Sequence, residues 1–475
     1  MKHRVGRIVV LGTIAGLVLP VSAAVAQKAG GSCKKVGATS GTLTCVAKGR
    51  KKVWEAAAPT TVAASTGSSD ATTVAKPTGL QPGPGFDGTT ISLGYLGNVA
   101  GGPFAVPGKA LTAGFNAIIS TVNDKGGIGG KYKINNIFAE TEYNAEKSVA
   151  KYTELRDKVV MISQIYGTPN VQAVLPKLRQ DGLVGSPISW DAEWSKDPNL
   201  LPNGGVYQVR AINIIDYYIT KLGNKDKKLC SVTHNSAYGD ATLEGYEFAL
   251  KKLGYAAPVK IKILNTDPGS AMGAVATQLK AGGCDAVFAG ISSGQTTGIL
   301  VSASQQGYNP TLLLMGPAFN VGQVTDAVAT LYEKQVLVES DVAQWGDPAV
   351  PGMVGLLADV KKFAPEYAAQ VDTAFAVGWA EAKSVVAVLE KAVALGDLSR
   401  DGIKKAMAQT GKVDTGGVYP IPELVDPAKR PAYQVSHIMN VDTVLLAKDG
   451  GLIYAKDGKD YKASFTAEYK HRVWP

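Results

Sequence analysis

From about Thr89 onward the apolar residues recur in two alternating rhythms. Short unbroken runs, bounded by Gly, Pro, Asn or Asp, read as buried strands, and stretches with three-and-four spacing read as helices with one apolar face. The run Ile91 to Leu96 predicts a strand, residues 97–108 a Gly/Pro loop, and Leu111, Phe115, Ile118, Ile119 and Val122 one face of a helix. The Gly pairs at 126–127 and 129–130 end that helix, because glycine takes the positive φ that a C-terminal cap needs. A second strand, Lys133 to Ala139, follows, so the body opens as a βαβ unit.

The alternation continues. A helix over Asn144 to Lys158 leads to a strand over Val159 to Ser163. Tyr166-Gly167-Thr168-Pro169 then opens a helix with Thr168 suited to the N-cap and Pro169 to the first helical position. A short strand, Leu183 to Pro187, follows. A second series has strands at Lys228 to Thr233, Val259 to Leu264, Asp285 to Gly290 and Thr311 to Gly316, each reaching the next through a helix. Two α/β lobes result. The strand Gln335 to Ser340 and a long helix near Asp372 to Leu395 read as a return to the first lobe, and AKDGGLIYAKDGKDY reads as hairpin-like turns near the end.

The segments GYLG, GGPFA and NDKGGIGGKYKI, together with SPIS, HNSAYGD and MGPAFN, resemble the leucine/isoleucine/valine-binding family of ABC-transporter solute receptors. The resemblance implies two Rossmann-like lobes with parallel sheets joined by a hinge, the type I periplasmic binding fold. It also implies a ligand held at the strand-end loops, where open α/β folds bind small molecules. In that family a Ser/Thr hydroxyl and helix amides meet the ligand carboxylate, which places Thr168 there, beside Tyr166; the positive end of a helix favours an anion in the same way. A mere cap is the other role open to Thr168. By the same resemblance the ligand contacts include Phe104, Ser189, Trp190, Tyr238, Ser292, Ala318 and Phe319. Family members that bind amino acids often carry an acid after the M-G-P turn, to pair with the ligand ammonium, and this chain has Ala318. Since an unpaired buried ammonium is costly, an ordinary α-amino acid is disfavoured unless Asp191, Asp240 or another acid reaches in. The aromatic set suits an apolar or aromatic body, and a carboxylate or amide remains open.

Charge changes the picture less than its total suggests. The chain of 475 residues carries +9, but residues 1–55 hold ten Lys/Arg and one acid, so the remainder is neutral. A clustered basic surface for nucleic acid is therefore not expected. Lys2, Arg4 and Arg7, an apolar run from Ile8 to Val21 and Ala24-Val25-Ala26 form a secretory signal with cleavage after Ala26. Cys33 lies behind Ala-Gly-Gly-Ser, which disfavours lipid attachment. Four cysteines in an exported chain point to two disulfides. Of three pairings Cys33–Cys45 with Cys230–Cys284 is preferred, and free thiols at 230 and 284 are the alternative. The chain then divides into a signal at 1–26, a cysteine-paired module at 27–55, a disordered Ala/Thr/Ser/Pro linker at 56–88, lobe I at 89–210, lobe II at 211–333, a return to lobe I at 334–435 and a C-terminal segment at 436–475. The module is either an envelope contact or a solvated appendage.

The four histidines are scattered, with His234 alone near the presumed cleft, and no metal-ligand cluster, phosphate loop or catalytic constellation is visible. No cofactor is expected. The reading is a monomeric, non-enzymatic, extracellular or envelope-associated receptor that passes a small ligand to an ABC permease. A signalling receptor and an envelope adhesin are the other classes, and a secreted enzyme using the cleft is a remote one.

Overall fold

The computed structural model describes residues 32, 39–40, 43–48, 51–56, 79–102, 104–256, 259–367, 373–444 and 451–474. The chain divides into two compact units, residues 1–75 and 76–475. In the first, β1 (Thr39–Ser40), β2 (Leu43–Lys48) and β3 (Lys51–Ala56) form an antiparallel sheet. Cys45, on β2, is buried and disulfide-bonded. Its expected partner Cys33, and the expected signal peptide, lie outside the described residues.

In the second unit, β4 (Thr90–Gly97), α1 (Ala105–Asp124), β5 (Lys133–Glu140), α2 (Ala145–Leu155), β6 (Met161–Tyr166), α3 (Thr168–Asp181) and β7 (Gly185–Ile188) build the first lobe. Their strands form a parallel sheet in the order β5-β4-β6-β7. Leu111, Phe115, Ile118 and Ile119 are buried along α1, as the spacing requires. The chain crosses to the second lobe after Ile188. There follow α4 (Tyr207–Asp216), β8 (Leu229–His234), α5 (Ala237–Leu253), β9 (Lys260–Ile263), α6 (Gly273–Ala281), β10 (Ala286–Gly290), α7 (Ser293–Gln305), β11 (Thr311–Met315), α8 (Ala329–Gln335) and β12 (Val336–Ser340). Cys230 on β8 and Cys284, just before the neighbouring β10, form a disulfide.

After Ser340 the chain returns to the first lobe with α9 (Pro351–Phe363), α10 (Thr373–Leu395) and α11 (Arg400–Met407), then crosses back to add β13 (His437–Val441) and β14 (Leu452–Tyr454). The second sheet is β14-β13-β12-β11-β10-β8-β9, with only its last two strands antiparallel to their neighbours.

Two expected boundaries are corrected by this arrangement. The strand at 335–340 does not return to lobe I: β12 pairs with β11 and β13 in the second sheet, and the return begins with α9. The segment at 56–88 is not a spacer throughout. Gln81 exchanges backbone hydrogen bonds with Gly396 and Leu398, and Phe86 packs edge-on against Tyr132 with centroids 5.3 Å apart. Two apolar side chains, Leu80 and Phe86, supply the contact with the first core that a polar linker lacks.

Helices α1 and α10 cross closely in that core. A Cβ at Gly114 would come 2.1 Å from the Phe375 carbonyl oxygen, and one at Gly378 2.1 Å from that of Leu111. The two glycines let the backbones meet.

Candidate functional site

Between the lobes lies a cleft enclosing about 830 Å³, counted to its open mouth. Each wall combines loops at the carboxyl ends of strands with residues of the neighbouring helices, α1 and α10 in lobe I and α4 and α5 in lobe II. From lobe I, Phe104 precedes α1 and stacks on Tyr143 at 4.5 Å, and Tyr143 meets Tyr166 edge-on at 5.4 Å. The Tyr166 hydroxyl donates to the Phe104 carbonyl, which ties the glycine-rich loop to the end of β6. From lobe II, Tyr207 on α4 meets Tyr238 on α5 at 5.0 Å. Phe319 follows the Met315–Pro317 turn, and the crossover adds Asp341 and Val342. Phe104 also reaches His234 across the gap, centroids 6.2 Å apart. The walls are thus largely aromatic.

Of the residues expected from sequence, Phe104, Tyr166, Trp190, Tyr238 and Phe319 line this cleft, and Thr168, Ser189, Ser292 and Ala318 do not. Thr168 is not the cap of α3. Gly167 is, at φ 100°, and the ring of Tyr143 fills the space where a side chain at 167 would stand. The Thr168 hydroxyl is spent within the protein, 2.8 Å from the Ser189 hydroxyl and 3.5 Å from that of Tyr207. Ser292 caps α7 reciprocally with Gln295, leaving its neighbour Ser293 to face the cleft. Ala318 is fully buried behind its own turn, its carbonyl accepting from Thr296. Asp191 accepts from Gln208 outside the cleft, and Asp240 pairs with Lys262 at the surface.

The sequence reading missed Tyr143, Tyr207, Arg210 and Asp341. The last two are the only charged residues lining the cleft among the described residues. Arg210 is buried on α4. Its Nε donates to Glu339 Oε2 at 2.7 Å, Nη1 lies 3.4 Å from Asp341 Oδ1, and the guanidinium stands 5.7 Å from the Trp190 ring. Burial opposes its charge, but the carboxylates of Asp341 and Glu339 more than offset this and hold the guanidinium protonated. The sequence signal was present: one arginine inside YQVRAINII, an otherwise apolar helix, requires buried acids, and Glu339 and Asp341 flank the end of the apolar run VLV.

His234 lies behind the wall. Its Nε2 is 2.7 Å from Gln295 Oε1, and burial lowers its affinity for a proton, so it stays neutral. No group of His, Cys, Asp and Glu able to hold a metal occurs among the described residues, and none of their helices is long and apolar enough to cross a membrane.

A sequence profile described as periplasmic binding protein matches residues 90–443. Among solved structures, the chain is similar to a fatty acid ABC transporter substrate-binding protein from Thermomonospora curvata: identity 24%, TM-score 0.74, covering 83% of this chain and 97% of that one. It is also similar to a branched chain amino acid ABC transporter protein from Thermus thermophilus with bound valine, at 15% identity and TM-score 0.69, over 80% of this chain and 98% of the other. A third, a solute binding protein from R. palustris in complex with 4-hydroxybenzoate, shares 18% identity at TM-score 0.64, over 78% and 97%. A search of curated proteins gave no match.

Proposed function

The chain belongs to the periplasmic binding protein family, and on that premise we propose that it is an exported receptor that closes its two lobes on a small organic ligand and hands it to an ABC importer. The observation that carries this reading is the aromatic cleft built from both lobes. Phe104, Tyr143, Tyr166, Trp190, Tyr207, Tyr238 and Phe319 contact the ligand, whose body is apolar or aromatic. Rings on both sides remove such a body from water at about 25 cal/mol per Å² buried. The fatty acid, valine and 4-hydroxybenzoate named for the similar proteins all have apolar bodies. Thr168, Ser189, Ser292 and Ala318 act behind these contacts, holding the loops that carry them.

Export is supported by the amino-terminal pattern and by the Cys230–Cys284 disulfide, which suits an oxidising compartment. The receptor acts as a monomer, because one chain supplies both faces of the cleft. The test is a thermal-shift panel of aromatic carboxylates, branched-chain amino acids and amides. A true ligand at 100 times its Kd adds about 2.7 kcal/mol of stability. A panel broad in apolar bodies that yields no stabilisation overturns the reading.

A further inference from the structure

The cleft holds an acceptor without a close donor. Asp341 is 4% exposed and lines the cleft. Its Oδ2 accepts from the Gly205 amide at 2.9 Å, but among the described residues Oδ1 has only Arg210 Nη1, at 3.4 Å, too long for a strong hydrogen bond. The buried Tyr238 hydroxyl has no partner among the described residues and belongs to the same cleft.

Charge points the same way. Arg210 is bracketed by two acids, so the trio is negative by one when all are ionised. A carboxylate brought to Arg210 would be a third acid on one guanidinium in a buried setting, whereas a cation near Asp341 brings the trio to neutrality.

Building on the receptor reading above, we infer that the ligand carries an amine whose ammonium pairs with Asp341 Oδ1, an acid supplied by the hinge crossover in place of one after the Met315–Pro317 turn, and that its arrival expels a proton from Glu339. Glu339 is the group able to release it. Its Oε2 accepts from Arg210, while Oε1 is buried with no partner among the described residues, the natural seat of a proton. Burial, more than the opposing pull of Arg210, pushes this carboxyl up to about 7. The other titratable or charged groups around it are Asp341, His437 and the tyrosines Tyr238, Tyr419 and Tyr433. Burial holds His437 below its usual range, and the tyrosines titrate far higher, so near pH 7 Glu339 is the group that changes. A cation beside Asp341 lowers Glu339. Affinity therefore rises up to tenfold per pH unit as pH climbs toward 7 and levels off above it.

The experiment is calorimetry on the full chain with 2-phenylethylamine, phenylalanine, 3-phenylpropanoate and 3-phenylpropanamide, at pH 6 and 8. Parallel runs at pH 6 use two buffers of different ionisation enthalpy. The expected result is binding by the two amines, release of a fraction of a proton at pH 6 that Glu339→Gln abolishes, and at least a tenfold loss in Asp341→Asn. Equal or tighter binding of the acid or amide, or amine binding without proton release, overturns the amine assignment and leaves the receptor reading standing. If Asp341→Asn fails to fold, the proton count in wild type and Glu339→Gln decides alone. Silence from these probes and from the wider panel overturns both readings.

Discussion

At the scale of single residues, the buried groups that do not touch the cleft make the sharper claims. Thr168 spends its hydroxyl on Ser189 and Tyr207. Thr168→Val should therefore cost about 1 kcal/mol of stability, the net worth of a hydrogen bond, and leave ligand affinity within about twofold. Denaturant titration and calorimetry on the same variant check both parts. A large loss of affinity with stability intact would restore Thr168 as a contact. Thr-Pro after an apolar run fits a capped helix start, but the ring of Tyr143, distant in sequence and packed against residue 167 in space, leaves room only for glycine at the cap.

Glu381, buried in α10, accepts from the Ser186 hydroxyl through Oε1, while Oε2 has no partner among the described residues. Burial raises its carboxyl well above the usual range, so the folded protein holds a proton that the unfolded chain releases at neutral pH. Stability is then greatest below the ordinary carboxylate range and declines as pH rises, by up to 1.4 kcal/mol per unit until the folded group itself titrates. Glu381→Gln removes that slope. Melting wild type and variant side by side at pH 5 and pH 8 should give a variant advantage that grows with pH. An advantage independent of pH would mean the carboxyl is ionised in the fold.

At the scale of elements, the paired glycines of α1 and α10 set how close the helices come. A methyl at Gly378 meets the Leu111 carbonyl at 2.1 Å, backbone that cannot swing aside. Gly378→Ala should cost roughly 1–3 kcal/mol by overpacking, read from the midpoint of chemical denaturation. Most elements were legible because a buried parallel strand is nearly all apolar and each helix carries one stripe; β8, β10 and β11 fall within two residues of the runs that mark them. The allegiance of β12 was not. An apolar run says that both faces of a strand are covered, and says nothing about which sheet covers them. Its neighbours on the two sides are β11, just before it, and β13, nearly a hundred residues later. The start of the body was misjudged for a similar reason, since Leu80 and Phe86 sit alone among Pro and Gly and their partners lie far along the chain.

At the scale of the whole molecule, the chain passes between the lobes three times: after Ile188, after Ser340, and between Met407 and His437. The crossovers are stitched to one another. The Gly204 amide donates to the Pro420 carbonyl, and the Gly205 amide to Asp341. Three crossovers bonded to one another make a hinge, and on the proposed function closure about a ligand is the motion expected of it. The cleft faces are aromatic and come from both lobes, so a ligand bridging them adds contacts in the closed state that the open state lacks, and only such a difference shifts the balance. Saturating ligand should therefore reduce the radius of gyration in solution scattering. Phe104→Ala removes a ring that stacks on Tyr143 in lobe I and faces lobe II, so it should weaken binding at least tenfold while sparing fold stability more than truncation at Phe115, which lies deep in the first core. A ligand that binds the wild type with no change in scattering would place the binding event on one lobe alone and remove closure from the mechanism.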